Sequence, residues 1–485
     1  SGFYAEGAGA TFFGEYKKEE LYKVVSFGER HGFKVFSWQF PNMTQELAQE
    51  LLPECPKEEL PITRNKNDEE EKLPVYIDFS HPRAKELLAA QWKDRLDAGI
   101  RGSMVDFGDV VPDEAVFYDG RRGDEMHNAY AYQYAKNYRE LFEQKYGDDH
   151  VLYTRGAAPG SQHFACQFGG DQLTSFQGLK YAIAGGLSAA ASGLPFWGVD
   201  AGGYDGFPDQ ETYLRWTEYA AFCPLMRFHG TEPREPWEYD AFTVKVYRYY
   251  TWLRENLRPY IVSVAAEAHK LGIPMMRPLA MMYPEDQEAT KVWDEYLFGE
   301  DLLVAPVSDE TEEREIYFPE GRWISLWNLN DEISGPVQRS VEVPIDKIPV
   351  YIREGSFLPL RLNESLKLGE SMSESETEMI LAVVPQNDSI VKETLYERSG
   401  AKTCCGMEKN GETIQLQISG RTAELYVMLA GIHWKNTEAI VNGRTLTKVT
   451  AREGLYFTEG YLELEEGILV KINPSAESVI KIQKK

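Results

Sequence analysis

Apolar and charged residues mingle over 16–30, a stretch helical in composition, and Gly32 stands where such a helix would stop. The apolar run at 33–38 then reads as a strand. Pro82 suits the first position of a helix. Ala84, Leu87, Leu88, Trp92 and Leu96 form one apolar stripe, and Gly99 closes it. Residues 103–107 read as the next strand, and 151–154, 165–168, 194–199 and 274–279 as four more. Helical stretches separate most of them, the longest at 244–271. Residues 182–199 carry no charge, yet their Gly, Ala and Ser content and Pro195 predict a buried helix entering a buried strand rather than a membrane span. Repeated strand–helix units predict the α/β class, with a parallel sheet closed as a (β/α)₈ TIM barrel. Six strands are two short of closure, so the first two are expected upstream of residue 1.

Beyond about residue 285 helical periodicity gives way to short alternating runs at 316–318, 323–327, 349–352, 425–429, 461–464 and 468–472. Glu465-Glu466-Gly467 reads as a hairpin turn, and the polar stretch 363–378 as a separator. The expected organisation is a catalytic barrel over 1–285, a proximal β domain over 286–362 and a distal β domain over 363–485. Within the barrel, residues 41–75 read as a long polar insertion with the charge run Asp68-Glu69-Glu70-Glu71-Lys72, a solvated loop first and a lid over the barrel mouth as the minor alternative.

Composition narrows the class. The chain has 485 residues, 43% of them hydrophobic, and 77 acidic against 51 basic side chains give a net charge of −26. That is enough apolar material for large cores and too little positive charge for a nucleic-acid or anionic-membrane surface. The five cysteines (Cys55, Cys166, Cys223, Cys404 and Cys405) suggest neither a disulfide framework nor a zinc site. With no charged-then-apolar leader in view, a cytoplasmic location is the expectation.

Candidate chemistry lies in carboxylates at strand ends. Asp106 follows Ser-Met-Val, Asp171 closes Gln-Phe-Gly-Gly-Asp, and Asp200 closes Phe-Trp-Gly-Val-Asp. Barrel enzymes hold catalytic groups at that end of their strands. Trp38, Phe107, Phe168, Trp197 and Tyr204 stand beside them and offer faces for sugar rings. A pair of carboxylates, one nucleophile and one proton donor, is what glycoside hydrolysis needs.

These segments resemble the glycoside hydrolase family 31 α-glycosidases. The resemblance is carried by Val105-Asp106-Phe107-Gly108-Asp109, Thr154-Arg155-Gly156, Gly169-Gly170-Asp171, Phe196 to Tyr204, and Met226-Arg227-Phe228-His229-Gly230. Pro274 to Pro278, Asp301 to Val307 and Phe318 to Trp323 add to it. It implies a retaining exo-α-glycosidase with Asp106 as nucleophile and Asp171 as general acid/base, their carboxyl groups roughly 5–5.5 Å apart. It places Trp38, Met104, Phe107, Arg155, Phe168, Trp197, Asp200, Tyr204 and His229 around the bound sugar, with Arg155 or hydrogen bonds keeping Asp106 ionised. It further implies a small α-linked sugar substrate, an N-terminal β-sandwich segment of the same protein as partner, and a possible homo-oligomer. No cofactor, nucleic acid or membrane is called for. The broad reading is α-glucosidase. Met104, where α-xylosidases of the similar Asp-Phe-Gly type carry Lys, and Gln172 are similar to sulfoquinovosidases, a narrower alternative ahead of α-xylosidase. Transglycosylation shares the intermediate. A glycan-binding pseudo-enzyme subunit is the non-catalytic alternative.

Overall fold

The structure is a computed structural model, which describes residues 18–64, 75–372, 377–421 and 423–485. The charge run at 68–72 and the start of the first helix lie outside those residues, as does part of the stretch at 363–378. The chain divides into two compact units, residues 1–170 with 192–198, and residues 171–191 with 199–485.

One six-stranded sheet keeps its strands in chain order: Phe36–Gln39, Gly102–Val105, Val151–Thr154, Cys166–Phe168, Trp197–Asp200 and Leu225–Arg227. The pairings among the first five are parallel. Neighbours in sequence that are also parallel neighbours in space require a crossover each time, which is how a TIM-barrel sheet winds.

In the first unit, the predicted stripe of helix Ala84–Ala98 is buried throughout, with Leu87 and Trp92 wholly covered. Gly99 ends the helix in the left-handed conformation, at φ 99°. Pro82 precedes this helix by two residues rather than opening it. The segment expected to be a solvated loop over 41–75 is partly built. Asn42–Met43 pairs antiparallel with Val75–Tyr76, Thr44 caps helix Gln45–Leu51, and Met43, Ala48, Cys55 and Leu60 enter the core. Scattered apolar residues too sparse to show a period account for that miss.

In the second unit, the uncharged stretch that starts at residue 182 begins inside helix Phe176–Ala191, and no described helix is long and apolar enough to cross a membrane. The continuous helix expected over 244–271 is two, Ala241–Asn256 and Arg258–Leu271. Pro259, lacking an N–H, sits in the first turn of the second. The sixth barrel strand is also corrected. Met276–Pro278 is not a barrel strand but pairs antiparallel with Tyr296–Phe298 in a separate sheet. The barrel position belongs to Leu225–Arg227, three half-buried residues that are too few to carry a period.

That separate sheet runs in the order Glu332–Glu342, Glu313–Ser325, Val350–Arg353, Leu302–Val304, Tyr296–Phe298, Met276–Pro278. Trp323, Phe318 and Leu303 fill its core. From Phe357 onward a five-stranded and a six-stranded sheet share one core of Ile380, Leu416, Val427, Ile468 and Ile480, a β-sandwich. The Glu465-Glu466-Gly467 turn joins Gly460–Glu463 to Gly467–Ile472 as an antiparallel hairpin. All five cysteines are free.

Candidate active site

In the first unit the strand ends build a cage around Asp106. Its backbone N–H continues the sheet by donating to the Gln39 carbonyl, 3.0 Å away. Its side chain is almost wholly buried, and each carboxylate oxygen receives a donor. Trp38 Nε1 donates to Oδ2 at 3.0 Å, and the Phe107 N–H to Oδ1 at 2.8 Å. Arg155 Nε stands 3.8 Å from Oδ1, and its Nη2 donates to Asp109 Oδ1 at 3.3 Å. Donors on a buried carboxylate favour its charged form, as a nucleophile requires.

Phe107 takes φ 57°, a left-handed conformation that costs a non-glycine residue. The turn brings its N–H back onto Asp106 and its ring under Arg155, whose guanidinium carbon lies 4.1 Å from the ring centre. Phe40, absent from the sequence-based set, stacks on Phe107 at 4.5 Å and meets Trp38 edge-on at 4.2 Å. Beneath the strand, Gln39 is fixed by Arg95 Nη1 at 2.7 Å and by the Tyr134 hydroxyl, which donates to its carbonyl. Met104 is buried in register with Trp38, and Phe168 is buried edge-on to Tyr153. Trp197 is half-buried, and its indole N–H has no hydrogen-bond partner among the described residues.

In the second unit the second cluster forms around Asp200, which is 1% exposed. Arg227 grips it with both arms, Nε to Oδ1 at 2.5 Å and Nη2 to Oδ2 at 2.8 Å. Burial pushes the Asp200 carboxyl up to about 6 against the pull of Arg227, and the Asp171 charge adds to the rise. Burial, with Arg227 nearby, takes the His229 imidazole down to about 4, so it is neutral near pH 7. The His229 and Tyr204 rings lie 5.3 Å apart. Asp171 is exposed.

Arg227 lies inside the Met226–Gly230 motif with no local signal of its own, and Arg234 lies outside every motif. The Arg234 guanidinium donates to the carbonyls of Gly203, Tyr204, Gly206, Glu232 and Pro233, stapling two loops together. It needs Gly230, where a Cβ would fall 2.4 Å from Arg234 Nη2.

A parallel barrel sheet with Asp106, Asp171 and Asp200 at or after the ends of its second, fourth and fifth strands defines a carboxylate-bearing α/β barrel followed by β domains. Residues 15–264 match the glycosyl hydrolases family 31 TIM-barrel domain, and residues 272–358 the glycosyl hydrolase family 31 C-terminal domain. The chain belongs to glycoside hydrolase family 31. It is 32% identical over 430 residues to an isomaltosyltransferase of Sporosarcina globispora, an alignment covering 83% of this chain and 39% of that protein. It is 32% identical over 297 residues to a sulfoquinovosidase of Escherichia coli K12, covering 58% and 43%. The structure of a cycloalternan-forming enzyme from Listeria monocytogenes superposes with a TM-score of 0.86 at 23% identity, over 96% of this chain and 47% of that one, and shows the shared fold. The chain thus spans about two-fifths of the length of these curated relatives.

Proposed function

We propose that the protein cleaves α-glycosidic bonds with retention, through a glycosyl–enzyme intermediate on Asp106. The observation that carries this reading is the Asp106 carboxylate, buried at a strand end with a donor on each oxygen and Arg155 beside it. Asp106 attacks the anomeric carbon while Asp171 protonates the departing oxygen. Asp171 then takes a proton from water, and the resulting attack releases Asp106. Asp200, paired with Arg227, and neutral His229 serve the sugar hydroxyls as acceptor and as either partner. Trp38, Phe107 and Arg155 hold the nucleophile. Met104, Phe168, Trp197 and Tyr204 line the sugar.

An α-linked glucose is the broad substrate reading. Transfer to a sugar acceptor instead of water is a second one, favoured by the isomaltosyltransferase alignment, which runs across most of the chain. A sulfoquinovoside is the narrower alternative, supported by Met104, Gln172 and the E. coli relative. The test is covalent trapping in the full-length protein. A 5-fluoro-α-glucosyl fluoride should label the peptide containing Asp106, and Asp106→Asn should remove turnover by about three orders of magnitude or more with the fold intact. Label on another carboxylate, or full residual turnover in a clean Asp106→Asn preparation, refutes the assignment. A kcat/KM panel of aryl glucoside, xyloside, galactoside and sulfoquinovoside, with a sugar acceptor added, separates the substrate readings.

A further inference from the structure

The strand-following loops of the second unit hold three large apolar side chains in water: Leu173 at 56% exposed, Phe207 at 48% and Trp237 at 70%. Single exposed apolar residues are ordinary on a protein surface, but these share a braced backbone. The Tyr204 and Asp205 N–H groups both donate to the Gln172 carbonyl, at 2.8 and 3.1 Å, and Leu173 bridges to Asp205. The Asp171 loop is therefore tied to the loop that carries Phe207. Phe207 stacks on Tyr239 with ring centres 5.2 Å apart and planes 21° from parallel, and the Tyr239 hydroxyl donates to the Pro208 carbonyl. Trp237 sits in the short turn Pro236–Glu238, just before Tyr239. Arg234 fixes both loops through their carbonyls. A surface held this firmly loses little freedom when a ligand settles on it.

The chemistry says which ligand part meets this surface. The general acid must reach the departing oxygen, so the wall beside Asp171 faces the leaving group rather than the sugar being attacked. Leu173 follows close behind Asp171 in the chain. Flat rings suit the C–H faces of pyranoses. The same loops carry exposed hydroxyl acceptors, Asp205, Glu232 and Glu238. Those carboxylates also disfavour an anionic leaving group.

We infer that Leu173, Phe207 and Trp237 form a ledge for neutral sugar rings on the leaving-group side, so that the enzyme acts on α-linked oligosaccharides rather than on glycosides of small alcohols. The inference rests on the proposed role of Asp171. The test compares full-length protein with Trp237→Ala and Phe207→Ala on isomaltotriose, which places rings on the ledge, and on α-glucosyl fluoride, which places none. The ratio of kcat/KM for isomaltotriose to that for the fluoride should fall about tenfold in each variant. A ratio within about twofold of wild type in both overturns the ledge and leaves the proposed reaction standing. If wild type turns over neither substrate, the proposed reaction fails, and the ledge is read by calorimetric binding of isomaltotriose. There, Asp106→Asn should bind about tenfold more tightly than Asp106→Asn/Trp237→Ala. Equal affinities, or no binding, overturn it.

Discussion

Replacing Arg227 with methionine should destabilise the protein in a strongly pH-dependent way. The side chain it removes holds Asp200 by two hydrogen bonds, of 2.5 and 2.8 Å, and Asp200 is 1% exposed. At pH 8 Asp200 is ionised, and losing its partner leaves a buried charge uncompensated, at a cost of about 3–5 kcal/mol. At pH 5, a unit below its value of about 6, roughly ten molecules in eleven already carry the proton. The guanidinium then faces a neutral acid, and its loss costs about 1–2 kcal/mol, that of one or two ordinary hydrogen bonds. The sign follows from the raised folded value. Going from 3.8 to about 6 is worth about 3 kcal/mol, present in full below pH 3.8 and lost as pH rises through 6. Without Arg227 the folded value rises further, and the loss extends to higher pH. Calorimetric melting of wild type and variant at pH 5 and 8 reads this directly, at about 2 °C per kcal/mol for a unit of this size. A Tm deficit at pH 8 no larger than that at pH 5 would show that Arg227 does not compensate the Asp200 charge.

Trp38→Phe keeps an aromatic ring against Phe40 and removes the N–H that reaches Asp106. A hydrogen bond to a charged group is worth about 1.5–3 kcal/mol, so kcat/KM for α-glucosyl fluoride should fall between roughly tenfold and 150-fold; a change under about twofold contradicts the cage. Gly230→Ala drives a methyl group into Arg234 and should cost about 1–3 kcal/mol, read as a lowered Tm; an unshifted melt contradicts the close approach. The ring protons of His229, followed by NMR, should titrate near pH 4, below the usual histidine range; a midpoint at or above 6.5 contradicts the neutral imidazole.

Most barrel elements were legible because they are long enough to show a period. Ala84 to Leu96 announce a helix face and are buried as one, and the strand at 151–154 falls where its apolar run lies. Leu225–Arg227 offers three residues and no alternation, whereas 274–279 looks like a strand and is one, in another sheet. Period identifies an element but not its partner, because parallel and antiparallel neighbours are chosen by packing at long range. The same limit produced the single helix over 244–271, where the apolar stripe runs on through Leu257 although Pro259 restarts the hydrogen bonding.

The site divides along similar lines. Asp106, Asp171 and Asp200 stand out as candidates in the sequence because each sits beside glycines and aromatics at the end of an apolar run, a local signature. Arg227 and Arg234 have none, since an arginine in a loop reads as surface charge until the fold shows what it faces. Yet Arg227 sets whether Asp200 can be an anion, and Arg234 sets where the loops after Asp200 and His229 stand. Groups that touch a ligand are constrained by its chemistry and so recur as readable residue types. Groups that position them are constrained only by the cavity they fill: Gly230 is legible as a requirement only once the Arg234 guanidinium is seen lying against it.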